Sequence, residues 1–124
     1  MALADDIEKR LYQFALAVVR FCRTLPDTDE AQETAKQLRR ASSSASANYR
    51  ASRRARSRRE WLAKLGIVVE ELDESDHWLA KIRDSKLKEV PQNLITECKE
   101  LRAILAKSCA TSRRKPPPPA KPRG

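Results

Sequence analysis

The chain has 124 residues, enough for one domain and too few for two. It is 40% hydrophobic and 35% charged, with only two glycines and no Asn-Gly or Asp-Gly pair, which argues against a hairpin-rich fold and for helices. The net charge of +9 excludes an acidic protein and directs attention to polyanionic partners, nucleic acid first.

A first helix is predicted from about Asp5 to Leu25. Asp5, with Glu8 three residues on, suits an N-terminal cap. Ile7, Leu11, Phe14, Val18, Phe21 and Leu25 recur at alternating steps of four and three, the seam of a bundled helix. Pro26 stops it.

Asp27 or Thr28 then caps a second helix, with Glu30 and Glu33 beside its positive end. The pattern predicts that it continues to about Ala55. Serine is a mediocre helix former, so a loop at Ser42–Ser46 is the rival reading. Ala31, Ala35 and Leu38 lead without a break into the small residues Ala41 to Ala47, which favours helix. On that helix Ala41, Ala45, Asn48 and Ser52 share a line thin enough for close approach by another helix. Asn48 there is expected to bond a neighbouring helix or the backbone. Arg39, Ser43, Ser46, Arg50, Arg53 and Arg54 fall on the opposite side.

Ser57-Arg58-Arg59-Glu60 reads as a capping box that starts a third helix; the rival is one continuous helix through Arg53–Glu60. Trp61, Leu65, Val68, Leu72, Ser75, Leu79 and Ile82 form the next seam. Gly66 interrupts it without a turn signal, at a cost of about 1 kcal/mol against alanine. Its expected use is close helix contact. Glu71, Glu74 and Trp78 share a second line beside that seam. After a polar connection, Pro91 suits the first turn of a fourth helix with Leu94, Cys98, Leu101, Leu105 and Ser108 as its apolar line. Periodicity fades after Ala110. The expected organisation is therefore an antiparallel up-down-up-down four-helix bundle over residues 1–110 and a basic, proline-rich tail over 111–124, disordered for want of apolar side chains to bury.

The charge is unevenly placed. Residues 36–64 hold ten basic side chains and one acidic, and residues 111–124 hold five basic and none acidic. The remaining two segments are net acidic. Little in the chain suits catalysis. His77 is the only histidine, and no second histidine or spaced cysteine joins it as a metal set. Glu70, Glu71, Asp73, Glu74 and Asp76 spread around their helix, with no Glu-x-x-His pair elsewhere to complete a di-iron site. There is no glycine-rich phosphate loop. Cys22, Cys98 and Cys109 lack C-x-x-C spacing and are expected to be buried, reduced thiols of a cytoplasmic protein. The longest apolar run, Phe14–Val19, is too short for a membrane span, and Asp5 and Asp6 do not suit a secretory leader. No enzyme, cofactor, metal site or membrane partner is expected.

Two stretches resemble a known family. The first is Gln37-Leu38-Arg39-Arg40-Ala41, followed by the small run Ser42–Ala47, Asn48 and an arginine-rich end. The second is Leu65, Ile67, Glu71, Glu74, Ser75, Trp78 and Leu79 in a single helix. Together they resemble the small bacterial proteins named for intervening sequences in large-subunit ribosomal RNA genes. The chain departs from that pattern at Tyr49-Arg50-Ala51-Ser52, where the family has Glu-Gly or a similar pair. The resemblance implies a left-handed four-helix bundle. It also implies a homopentamer, as in the related accessory variability determinant of diversity-generating retroelements, which works with a reverse transcriptase and nucleic acid.

The functional expectation is a non-enzymatic, oligomeric binding module. Arg39, Arg40, Arg50, Arg53, Arg54, Arg56, Arg58 and Arg59 would contact phosphates of RNA or DNA, largely without regard to sequence. Stacking has little support in the sequence, since only Tyr49 and Trp61 are near enough to help. The alternative is a protein adaptor docking an acidic partner surface, with some arginines instead serving intersubunit salt bridges to Glu70–Asp76.

Overall fold

The structure, a computed structural model, describes residues 2–114. The prolines and basic residues beyond them, most of the expected tail, lie outside that range. The described residues form four helices and no strand: α1 (Ala2–Cys22), α2 (Asp29–Ser52), α3 (Arg58–Asp84) and α4 (Gln92–Arg114). Each helix packs on the next, and α1 closes onto α4. Connections this short require antiparallel neighbours. The start of α1, the α2–α3 turn and the end of α4 therefore share one end of the bundle, and the other two turns share the opposite end.

The seams explain the packing. Ile7, Leu11, Phe14, Val18, Phe21 and Leu25 are all buried, as are Leu65, Val68, Leu72, Ser75, Leu79 and Ile82. Trp61 is only half-buried against them. On α4 the buried line is Leu94, Ile95, Cys98, Leu101, Leu105 and Cys109, so Cys109 takes the place expected of Ser108. All three cysteines are buried, free thiols.

α2 is unbroken through its serines. Ala31, Ala35, Leu38, Ala41 and Ala45 are completely buried, and burial of this stripe outweighs the weak helix propensity of the residues between them. The buried hydroxyls are satisfied within their own helices. Ser42 donates to the Arg39 carbonyl at 3.2 Å, Ser52 to the Tyr49 carbonyl at 2.6 Å and, on α3, Ser75 to the Glu71 carbonyl at 2.8 Å. Serine can thus face another helix without leaving an orphaned polar group.

Several boundaries differ from the sequence reading. α1 starts at Ala2, so Asp5 is a first-turn residue and not the cap. It ends at Cys22, ahead of Pro26, and a turn carries Leu25 into the core. Thr28 caps α2, its hydroxyl accepting from the Ala31 amide at 3.1 Å. α2 stops at Ser52, three residues short of Ala55. Ser57 then caps α3, accepting from the Glu60 amide at 3.0 Å. The Glu60 carboxylate reaches back to the amide of Arg56, at 3.3 Å, one residue before the position a capping box specifies. α4 runs to Arg114, four residues past the point where periodicity fades.

The α3–α4 turn is a Schellman motif. The Leu87 amide donates to the Ile82 carbonyl and the Lys86 amide to that of Arg83, each at 3.1 Å. Lys86 holds φ at 60°, in the left-handed region where glycine is usual.

Gly66 does not mediate the close helix contact expected of it. A Cβ built there would meet only the Arg113 guanidinium, at 3.9 Å, an ordinary van der Waals distance. Asn48 makes the backbone bond expected of it but lies off the buried line. It is half-buried, and its amide donates to the carbonyl and hydroxyl of Ser44 at 2.9 and 3.1 Å, all within α2. The buried line runs instead through Ala45, Tyr49 and Ser52.

Candidate nucleic-acid interface

The eight arginines of α2, the turn and early α3 do not act as one stripe. Arg40 faces α3. Its guanidinium lies 3.3 Å from the Glu71 carboxylate and 2.6 Å from that of Glu74. Glu74 also accepts from the Trp78 indole at 3.4 Å. Lys81 sits 5.3 Å from the Trp78 ring centre, and His77 meets the ring edge-on at 5.0 Å. Glu71, Glu74 and Trp78, which share a line in the sequence, are thus the receiving half of an α2–α3 clamp. The hydrogen bond from Arg40 holds the Glu74 carboxyl below its ordinary value.

Arg53 faces α1. It reaches Asp5 at 2.7 Å and Glu8 at 3.5 Å, and its hydrogen bond holds the Asp5 carboxyl below the usual range. Arg39 is half-buried beside Cys22, where its charge partly opposes the upward push that burial gives the thiol. Arg58 donates to the Ser112 carbonyl, joining the start of α3 to the last turn of α4. Four of the eight arginines therefore make contacts inside the chain.

The other four, Arg50, Arg54, Arg56 and Arg59, are exposed and form no salt bridge among the described residues. The turn explains why. Between residues 50 and 60 the only carboxylate is Glu60, and it is engaged with the Arg56 amide. Four guanidinium groups are left facing water around one end of the bundle.

A groove of about 560 Å³ opens between α1 and α2 at this end. It is lined by Asp5, Glu8, Lys9 and Tyr12 from α1, by Ser46 and Arg50 from α2 and by Arg53 and Arg54 just past its end. Tyr12 is 57% exposed, whereas Tyr49, named from the sequence as near enough to stack, is buried. The missed signal was Tyr12's position off the Ile7–Leu11–Phe14 seam. Among the described residues no group of histidines, cysteines or carboxylates could hold a metal ion, and no helix is long and apolar enough to cross a membrane.

The model of one protein family, the 23S rRNA-intervening sequence proteins, matches residues 5–107 of the chain. The chain belongs to this family. Among solved structures, it is similar to a protein of unknown function from the S23 ribosomal protein family of Bacteroides thetaiotaomicron. The two share 22% sequence identity over 86% of this chain and 97% of the other, with a TM-score of 0.79, which establishes a common fold. No curated protein matches the chain. The family match covers both the Arg40 clamp and the exposed arginines.

Proposed function

We propose that this chain is a non-enzymatic nucleic-acid-binding module that grips phosphates with Arg50, Arg54, Arg56 and Arg59. The observation that carries the reading is the concentration of these unpaired guanidinium groups at one end of the bundle, with no free carboxylate in the turn to neutralise them. Arginine suits the task because its planar fork pairs two phosphate oxygens and its charge releases condensed counterions. Phosphates carry no sequence information, so the contacts are largely sequence-independent. The family's name refers to ribosomal RNA, which makes RNA the first ligand to test. A homo-oligomer would repeat the arginine end in several copies and raise the effective affinity. Light scattering of the purified protein measures that contribution, and a monomeric mass would remove it.

The test is fluorescence anisotropy of a labelled RNA across a salt series. Affinity is expected to fall steeply with salt. Changing Arg54, Arg56 and Arg59 to Gln should weaken binding and flatten the salt slope by roughly one unit per residue removed. Arg40→Gln should leave both unchanged, because that guanidinium is held by Glu71 and Glu74. Equal affinity at low and physiological salt would end the phosphate reading. A protein partner retained from nuclease-treated lysate by the wild type and lost by the triple variant would favour the adaptor role instead.

A further inference from the structure

The geometry points to Tyr12 as a stacking platform for one unpaired base, making the α1–α2 groove a site for single-stranded nucleic acid. This inference rests on the phosphate-binding reading and names the class of strand that the same end of the molecule takes. Three observations carry it. First, Tyr12 is the exposed aromatic of α1, at 57%, and among the described residues its ring meets no other ring or cation and its hydroxyl has no hydrogen-bond partner. The ring is therefore accessible to a ligand on a helix that buries both of its phenylalanines. Second, the ring lines the same groove as Arg50 and Arg54, which make no ion pair, and as Lys9. The groove holds four cations against two carboxylates, and Asp5 and Glu8 are both turned onto Arg53. Its remaining charge is positive and lies beside the ring. Third, the volume of about 560 Å³ lies within the roughly 300–1,000 Å³ range of small-ligand sites. It is open enough for a base to enter while its phosphates stay outside with the arginines.

Stacking distinguishes strands as backbone contact does not. A base within a duplex is already stacked and presents no face to Tyr12. An unpaired base presents one, and single-strand binders combine aromatic platforms of this kind with a cationic groove. Ser46, also lining the groove, offers a hydroxyl that both donates and accepts and so suits the edge of any base.

The experiment compares a short labelled single-stranded RNA, the DNA strand of the same sequence, and the RNA duplex, each with wild type, Tyr12→Ala and Tyr12→Phe. The wild type is expected to bind single strands more tightly than the duplex. Tyr12→Ala should lose about tenfold in single-strand affinity and leave duplex affinity unchanged, while Tyr12→Phe, which keeps the ring, retains binding. Supporting results with the RNA strand alone identify RNA as the source of the base; the same results with both strands identify any unpaired base. Equal binding of strand and duplex, or no effect of Tyr12→Ala, overturns the inference and leaves the phosphate reading standing. Absence of salt-sensitive binding to every probe overturns both. Circular dichroism of each variant checks that the bundle is intact, as an exposed site should allow.

Discussion

At the residue scale, neighbouring side chains of the same type have opposite fates. Arg53 and Arg54 adjoin in sequence, yet Arg53 is held by Asp5 and Glu8 while Arg54 forms no ion pair. The difference arises where the chain leaves α2: Arg53 is its C-terminal cap and reaches α1, and Arg54 follows in the turn, its amide on the Ala51 carbonyl at 3.0 Å. Two positions show how backbone geometry sets stability. Lys86 occupies a left-handed conformation that costs an L-residue energy, so Lys86→Gly is expected to stabilise the fold by about 1 kcal/mol. Gly66 is the reverse case. A methyl group there has room, so Gly66→Ala should also stabilise by about 1 kcal/mol through helix propensity. Urea unfolding reads both. The thiols give a third check. Burial pushes Cys98 up to about 12, and its sulfur donates to the Leu72 carbonyl at 3.3 Å. A thiol-specific reagent at neutral pH should label Cys98 only as fast as the bundle opens, and promptly in denaturant.

At the element scale, α2 is the helix on which the bundle closes. Its buried stripe of small residues lets α1 and α3 approach, and its arginines then grip them, Arg53 on one side and Arg40 on the other. Ala45→Leu is expected to destabilise by about 1–3 kcal/mol, because a fully buried alanine at a helix contact leaves no room for three more carbons. The grips depend on pH. The folded state holds the Asp5 and Glu74 carboxyls below their ordinary values of 3.8 and 4.5. A carboxyl depressed by folding contributes stability that is present above its unfolded value and is lost as pH falls through its folded value. Melting temperature should therefore fall as pH drops below about 4.5. In the Arg40→Gln, Arg53→Gln double variant that fall should be shallower. The helices themselves were legible in the sequence, because apolar residues at steps of three and four report a buried face directly. The Arg40 and Arg53 grips were not. Which carboxylate meets which arginine depends on how neighbouring helices are set side by side, and a one-dimensional pattern does not contain it. Gly66 misled for a related reason: its use was inferred from cost alone, without knowing what stood opposite.

At the scale of the whole molecule, an even number of antiparallel helices sorts charge by end. The acidic first turns of α1, the arginine-rich α2–α3 turn and the last turn of α4 meet at one end, tied together by Arg53–Asp5 and by Arg58 on the Ser112 carbonyl. At the other end, Phe21 in the last turn of α1 and Thr24 of the first connection line one groove with Lys88 and Pro91 of the last connection. The candidate site was half legible on this scale. The excess of arginine between residues 36 and 64 named the region, but only the assembled end separates the cations consumed in holding the bundle from those still available. Raising ionic strength should therefore act unequally. It should abolish ligand binding while leaving the melting temperature little changed, since the core that holds the helices together is apolar and the surface ion pairs add little to it.

The same arrangement governs how the protein can be handled. The start of α1 and the end of α4 both lie beside the arginines, held there by Arg53–Asp5 and by Arg58 on the Ser112 carbonyl. A bulky label on the first turn of α1 or the last turn of α4 would therefore crowd the proposed ligand site, and an acidic one would compete for it. The connection between α1 and α2 (residues 23–28) and that between α3 and α4 (residues 85–91) lie at the remote end, so a label inserted there would report on binding without obstructing it.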